Sequence, residues 1–488
     1  MSDTKLKYCF GIDFGTTNCA TVGYAYIGNS YEKILYGDDE QRPIPSVVAI
    51  NKSDGSVHTG RAAWERRQEL SQECEYIASV KSLFDKEWSR RISGKLWTPE
   101  LVAAEVFKCL QQNVYERTSI IMEEAVVAIP VGLNAAKRRI LRNAAASAGI
   151  KILSFVSEPT AAFFANYRDI RNENTVAVFD WGGGTLDVSV LRHYDGKIME
   201  LAAGGRPEAG DAIDLKIAEK VHAKIARQKK LNISFEDMPP VNKDMMLVRA
   251  ERAKRLMYDD DTATISINNY GQFGAVRVNL DYDWFSEIID NEINSAIDCF
   301  KKVVDESDVG INNIDRIIMV GGSSNLRPLI DKLDSLFGDK LYFPEETMWN
   351  VGVGAAMLSS TPGEYYSNQK IGIRLSDNSF FPLLTEDAPI KDWKARHHFG
   401  IIDSNKEARF IFSGSNDLDE DDTRFCTLQI PAYRFLQEQI ILEAEIDENL
   451  VFNVNASSSM RTEEYDRVWR YERLKCYYRL PKEGGLFE

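Results

Sequence analysis

The sequence predicts an α/β chain built on a duplicated unit and followed by a smaller all-β sandwich. Three observations carry that prediction. A short apolar run ending in Asp and then a Gly turn occurs twice, at residues 8–17 and 175–185. Helical and strand periods alternate between and after the two copies, as they do where helices cover a mostly parallel sheet. Beyond Thr361-Pro362-Gly363 the helical period stops and short alternating runs take over.

In the first copy, residues 8–13 read as a buried strand entering Phe14-Gly15-Thr16-Thr17, and residues 19–26 as the strand that follows. In the second, residues 175–180 enter Trp181-Gly182-Gly183-Gly184-Thr185, and residues 186–191 follow. Between the copies, 99–114 has the period of an amphipathic helix. Residues 125–130 read as a buried strand, and 134–148 as a helix stopped by Gly149. Later helices are predicted from Asp211, over 242–257 and over 283–306, with a hairpin within 262–279. Residues 316–320 form one more apolar strand, closed by Gly321-Gly322. The sandwich strands are 370–375, 380–384, 409–412, 425–430, 439–446 and 451–456. The acidic stretch 417–422 reads as a solvated loop between two of them. Residues 459–488 mix charged and aromatic side chains and suit either a short helix or a final strand.

The chain of 488 residues is 44% apolar, enough for several cores and too much for disorder. Its net charge of -15 disfavours a nucleic-acid backbone or an anionic membrane as principal partner. Phosphate binding stays open, because it needs only local positive potential. Cysteines at 9, 19, 74, 109, 299, 426 and 476 include no C-x-x-C pair. That argues against a disulfide framework or a zinc site and fits a reducing compartment. Residues 1–7 are polar with no signal-like apolar core, and no apolar run reaches membrane-spanning length. The expectation is a soluble, cytoplasmic protein with no nucleic-acid and no membrane partner.

The two Gly turns carry the chemistry. A phosphate is held well by backbone N–H groups aimed inward, and Gly lets the backbone come that close. Gly182, Gly183, Gly184 and Thr185 supply one such cradle; Gly15, Thr16 and Thr17 supply a second, with hydroxyls. Asp13 and Asp180 stand at strand ends as oxygen ligands for hydrated Mg²⁺. Asp187 shares a strand face with Thr185. One such turn is often structural, but two copies in matching strand context point to a nucleotide. The other common phosphate loops, G-x-x-x-x-G-K-[ST] and a strand-to-helix G-x-G-x-x-G, are absent.

With these motifs the chain resembles the seventy-kilodalton heat-shock chaperone family, the DnaK type. Phe10-Gly-Ile-Asp-Phe-Gly-Thr-Thr-Asn18 is similar to its first phosphate motif, and Val178-Phe-Asp-Trp-Gly-Gly-Gly-Thr-Leu-Asp187 to its second. Ser157-Glu-Pro-Thr-Ala-Ala162 and residues 350–356 resemble the two connecting helices at the hinge. Val320-Gly-Gly-Ser-Ser324 resembles the adenosine motif, and Glu251-Arg-Ala-Lys-Arg255 the adenine clamp. The resemblance implies a duplicated actin-like (ribonuclease-H-like) ATPase domain over 1–362. It also implies a β-sandwich resembling the peptide-binding domain over 363–458, and a short tail without a lid over 459–488.

Residue by residue, it implies that Asp13 and Asp180 organise Mg²⁺ through water, and that Asp13, Asp187 and Thr185 border K⁺ sites. Thr16 and Thr17, with Gly15 and Asn18, would meet the phosphates of ATP or ADP. Lys81, in Ser79-Val-Lys-Ser-Leu83, is similar to the catalytic lysine and would act as a point charge on the γ-phosphate and the attacking water. Glu158 would orient the nucleotide–metal assembly through water. Gly321, Gly322 and Ser323 would meet the ribose and α-phosphate, Glu251 and Lys254 the ribose, and Arg255 the adenine. Pro130 and Arg138 match relay positions toward the second domain. Implied partners are a polypeptide client, a J-domain protein and a nucleotide-exchange factor.

Five departures stand out. The linker, 361–370, is polar apart from Tyr365 and Tyr366, which puts its docking in question. The lid is missing. Arg409 falls where the family has an apolar pocket residue, and Ser376 replaces a bulky one. Only residues 82–97 separate Lys81 from Thr98, so the first lobe is trimmed. The adenosine motif runs one residue longer and has Met348 nearby. The leading expectation is an ATP-hydrolysing, chaperone-like protein that binds a polypeptide client under nucleotide control. An ATP-gated scaffold for one dedicated partner, an actin-fold small-molecule kinase and an actin-like filament protein remain open beside it.

Overall fold

The computed structural model describes residues 8–27, 30–38, 41–84, 87–360, 364–375, 377–400, 407–414, 424–431, 437–460 and 467–480. Ser376 and residues 361–363 and 417–422, singled out above, lie outside them.

The first Gly turn joins β1 (Tyr8–Phe14) to β2 (Asn18–Ile27) as an antiparallel pair, and β3 (Ser30–Tyr36) continues on the far side of β2. Helix α1 (Pro99–Thr118) begins at Thr98, whose side chain accepts from the Leu101 N–H. Its stripe of Val102, Val106, Phe107, Leu110 and Val114 is buried. Next come β4 (Glu124–Ile129), α2 (Ala135–Ser147, capped by Asn134) and β5 (Lys151–Ser157), with β4 parallel to β1 and β5 parallel to β4. The sheet runs β5-β4-β1-β2-β3.

Helix α3 (Glu158–Ala165) leads to the second copy. Here β6 (Thr175–Trp181) and β7 (Leu186–Tyr194) flank the second Gly turn, and β8 (Lys197–Arg206) follows. Helices α4 (Gly210–Lys229), α5 (Pro240–Leu256) and α6 (Tyr282–Glu306) come next, then β9 (Arg316–Val320) and β10 (Leu341–Tyr342). The order β10-β9-β6-β7-β8 repeats the first sheet strand for strand. The internal repeat in sequence is thus a repeat of topology. Helix α6 shows why this layer holds together: Phe285, Ile289, Ile293, Ala296, Phe300 and Val304 form one buried face. Helix α7 (Asn350–Ser360) then packs on α3 and β1. Backbone approach is so close there that a Cβ on Gly354 would lie 1.8 Å from the Ala161 carbonyl oxygen. A buried Asn166–Asn350 side-chain bond of 3.0 Å ties the two helices further.

The remaining strands are β11 (Glu364–Ser367), β12 (Ile371–Arg374), β13 (Phe380–Leu384), β14 (Lys394–Gly400), β15 (Glu407–Ser413), β16 (Arg424–Pro431), β17 (Gln439–Ile446), β18 (Phe452–Ser458), β19 (Arg467–Tyr471) and β20 (Cys476–Arg479). Two sheets, β13-β12-β15-β16 and β14-β17-β18-β19, enclose a shared core of Ile371, Phe412, Leu442, Phe452, Val454 and Trp469.

Two expectations, at β14 and at Arg409, change here. Strand β14 was not predicted. Its inward side chains are Ala395, His397 and Phe399, so apolar alternation is faint, although His397 and Phe399 both pack on Phe381. Strand β19, which lies beyond the expected boundary at 458, pairs with β18 at the edge of the same sheet. Of the two forms left open for the last residues, Arg467–Tyr471 and Cys476–Arg479 take the strand, consistent with their Val, Trp and Tyr content. Arg409 points outward, exposed and 3.6 Å from Glu407, while Phe410 is the buried neighbour. The register is one residue away from a pocket arginine, which swaps the face.

The polar linker docks all the same. Strand β20 pairs with β8, and β11 pairs with β20, so the second sheet extends as β8-β20-β11.

Candidate functional site

Each Gly turn lies where a central strand ends, so the topology brings the two turns face to face. Every candidate site residue named above lines one cleft of about 420 Å³ between the two sheets. Strand β1 delivers Asp13 and β6 delivers Asp180; Asp187, at the start of β7, is the register partner of Asp180. Lys81 enters on a short 3-10 turn, and Glu158 is the first residue of α3. The turns nearly touch. A Cβ on Gly184 would come 2.8 Å from the Thr16 methyl carbon. Thr17 Oγ1 donates to Asp211 Oδ2 at 3.5 Å.

The phosphate end is dominated by Lys81 and four carboxyls. Lys81 Nζ donates to Glu158 Oε1 at 3.2 Å. Burial opposes the ammonium charge, but Glu158, Asp13 and Asp187 outweigh it and hold the Lys81 pKa up. Burial pushes Glu158 up to about 7, against the pull of Lys81, with Asp13 and Asp187 adding to the rise. Burial likewise raises Asp13 to about 6. Asp180 is pushed well above its usual value by burial and by the neighbouring carboxylates. Glu158 titrates high chiefly because it is buried, and Lys81 because the carboxylates around it outweigh its own burial. Such a site gains from an added cation.

Among the described residues, no group of three or more His, Cys, Asp or Glu is arranged to hold a metal directly. Asp13, Asp180 and Asp187 are therefore not a direct-ligand cage. The donor set suits Mg²⁺ that keeps its waters, the usual state of that ion at phosphates.

At the other end of the cleft, Lys254 is buried and committed. Its Nζ donates to Asp214 Oδ2 at 2.8 Å and to the Gly210 carbonyl at 2.9 Å. Glu251 accepts from Arg255 at 2.7 Å along α5. Burial raises Asp214 to about 7, and its buried Oδ1 has no hydrogen-bond partner among the described residues. Sequence reasoning missed Asp211 and Asp214. Their three-residue spacing on the first turn of α4, just after Gly210, is the signal that would have found them. Ser323 Oγ donates to the Gly182 carbonyl at 2.9 Å, locking the Gly321–Ser323 turn to the second phosphate turn. Met348 also lines this end.

A larger groove, about 920 Å³, lies between α2 and the outer face of β14, β17 and β18. Two cross-strand ion pairs line it, Lys394 with Glu445 and Arg396 with Glu443, each at 3.2 Å. It has no Gly turn, so the smaller cleft is the chemical one.

The family model described as Hsp70 protein matches residues 85–467. The chain belongs to the Hsp70 family. The matched span contains Glu158, the second Gly turn, the adenosine side and most of the sandwich; Asp13 to Thr17 and Lys81 precede it. Hsp70 proteins carry an actin-like ATPase fold, bind ATP or ADP with Mg²⁺, and act in general as ATP-dependent chaperones on polypeptide clients with co-chaperones. In this Hsp70 protein Arg138 is buried. Its Nε donates at 2.8 Å to the carbonyl of Asn449, in the turn between β17 and β18, and its Nη1 donates to the Leu133 carbonyl. Arg142 Nη2 reaches the Glu448 carbonyl at 2.8 Å. Pro130, at the end of β4, accepts from the Leu133 N–H through its carbonyl. Among the described residues no helix is long and apolar enough to cross a membrane.

Proposed function

We propose that this protein hydrolyses ATP in the cleft between the two Gly turns and uses the cycle to control polypeptide binding by the β-sandwich. The observation that supports this most is Lys81 at 3.2 Å from Glu158, between the two cradles. In this reading Lys81 places its charge against the γ-phosphate and the in-line water, while Glu158 orients that water. The acceleration is mainly electrostatic positioning. Backbone N–H groups of Gly15–Thr17 and Gly182–Thr185 hold the phosphates. Asp13, Asp180 and Asp187 take hydrated Mg²⁺, whose part is to neutralise phosphate charge, and Asp13, Asp187 and Thr185 border K⁺. Glu251 and Lys254 face the ribose, as the resemblance implies, and Arg255 covers the adenine.

The organisation we favour is a nucleotide-binding unit over 1–362 and a client-binding sandwich whose last strand is β19. A J-domain protein and an exchange factor complete the cycle, and a cytoplasmic setting fits it. The ATP-gated scaffold is the second reading, favoured by the outward Arg409 and the paired charges of the sandwich face. ATP turnover with and without candidate peptides separates the two. Chaperoning predicts that varied peptides change turnover about twofold or more. Turnover indifferent to peptides, with one stoichiometric partner in pulldowns, would establish the scaffold instead.

A further inference from the structure

Among the described residues lining the cleft, Met348 is the one large apolar side chain left exposed, at 44%. The cleft is otherwise built mainly of glycines, hydroxyls and charged groups, so an exposed thioether there calls for a reason. Met348 stands in the turn that leads into α7, and that turn is latched to the Gly321–Ser323 turn. The Gly321 N–H donates to the Thr347 carbonyl at 3.3 Å, and Asn325 Nδ2 donates to Thr347 Oγ1 at 3.0 Å. Met348 is thereby set beside Gly322, where a Cβ would lie 3.8 Å from its Cγ and 3.9 Å from its Sδ.

Arg255 reaches the same cleft from α5, with its guanidinium held by Glu251 at 2.7 Å. The base end of the cleft thus has a guanidinium on one wall and a thioether on another. Both suit the flat face of a base: a guanidinium stacks on an aromatic plane, and a polarisable sulfur packs against one. Neither tells one purine from another.

Identity has to be read at the base edge. Adenine offers an N6 amino donor where guanine offers an O6 acceptor. Strong discrimination takes a fixed donor or acceptor that the wrong base leaves unpaired. The polar side chains at this end are already engaged. Lys254 holds Asp214 and the Gly210 carbonyl, Arg255 holds Glu251, Ser323 holds the Gly182 carbonyl, and Asn325 holds Thr347. Tyr258, just past the end of α5, also lines the cleft, with its ring packed on the core of the second lobe. A tyrosine hydroxyl rotates and both donates and accepts, so it serves N6 and O6 equally.

We infer that Met348 and Arg255 hold the base by stacking, and that the slot takes GTP as well as ATP. This deepens the ATPase reading above and rests on it.

The test uses the full chain with Mg²⁺ and measures Kd for ATP, GTP and inorganic tripolyphosphate, a base-free probe, in wild type, Met348→Ala and Tyr258→Phe. Wild type should bind GTP within about tenfold of ATP. Met348→Ala should weaken ATP and GTP alike, by about fivefold or more, and leave tripolyphosphate within about twofold, which also shows that the phosphate end is intact. Tyr258→Phe should change the ratio of ATP to GTP affinity by less than about threefold. GTP binding weaker than the first bound, or a ratio in Tyr258→Phe beyond the last, overturns the tolerant slot. Unchanged ATP affinity in Met348→Ala, or an equal loss for tripolyphosphate, overturns the stacking wall. A wild type that binds none of the three probes overturns the ATPase reading itself, whereas one that binds ATP and fails either bound overturns this inference alone.

Discussion

Lys81 illustrates how a residue can be decisive and locally unreadable. Its neighbours in sequence have no pattern that marks a catalytic group, and it gains meaning only because the fold sets it against Glu158 and Asp13. Asp13 and Asp180 are the opposite case, because a buried strand ending in Asp and a Gly turn states its own purpose. The crowding of carboxyls has a consequence for stability. Burial lifts the Glu158 pKa from 4.5 to about 7 in the folded chain, so the folded state holds a proton there that the unfolded state has lost. Stability from this group is therefore greatest below pH 4.5 and declines as pH rises toward 7. Glu158→Gln has no proton to lose. Without nucleotide, it should be more stable than wild type at pH 8 by about 1–3 kcal/mol, with the difference fading near pH 5. Urea unfolding at the two pH values measures this.

Among the elements, the strands and helices around the Gly turns were legible because hydrophobic period and turn chemistry agree there. Strand β14 was not, since Ala395, His397 and Phe399 make a weak inward face. Strands β19 and β20 were half-legible: their aromatic content suits strands, but their partners, β18 and β8, are remote in sequence. The linker looked too polar to dock because apolar length was the criterion. Tyr365 docks instead through backbone pairing and a half-buried ring set edge-on against the buried Tyr478. The contact between α2 and the β17–β18 turn belongs to this scale. Arg138→Ala strips the Asn449 and Leu133 carbonyls of their partner and should cost about 1–3 kcal/mol. It should also speed hydrogen exchange in residues 447–451, whereas unchanged exchange there would mean that the turn is held without Arg138.

Over the whole molecule, two sheets of one topology create the cleft and a sandwich is tied to both. Arg138 and Arg142 fasten it to the first sheet's layer, while Lys197 and β20 fasten it to the second. Any nucleotide that changes the angle between the lobes must strain or move the sandwich, which is how ATP would be felt at a client site. The proposed place where ATP is bound and cleaved is the cleft, and single-turnover hydrolysis by wild type and Lys81→Ala, with ATP affinity measured alongside, is the direct test. The predicted result is bound ATP in both, with phosphate release slowed about a hundredfold or more in Lys81→Ala and Kd within about threefold; equal rates in the two proteins, or no ATP bound by the wild type, would contradict it.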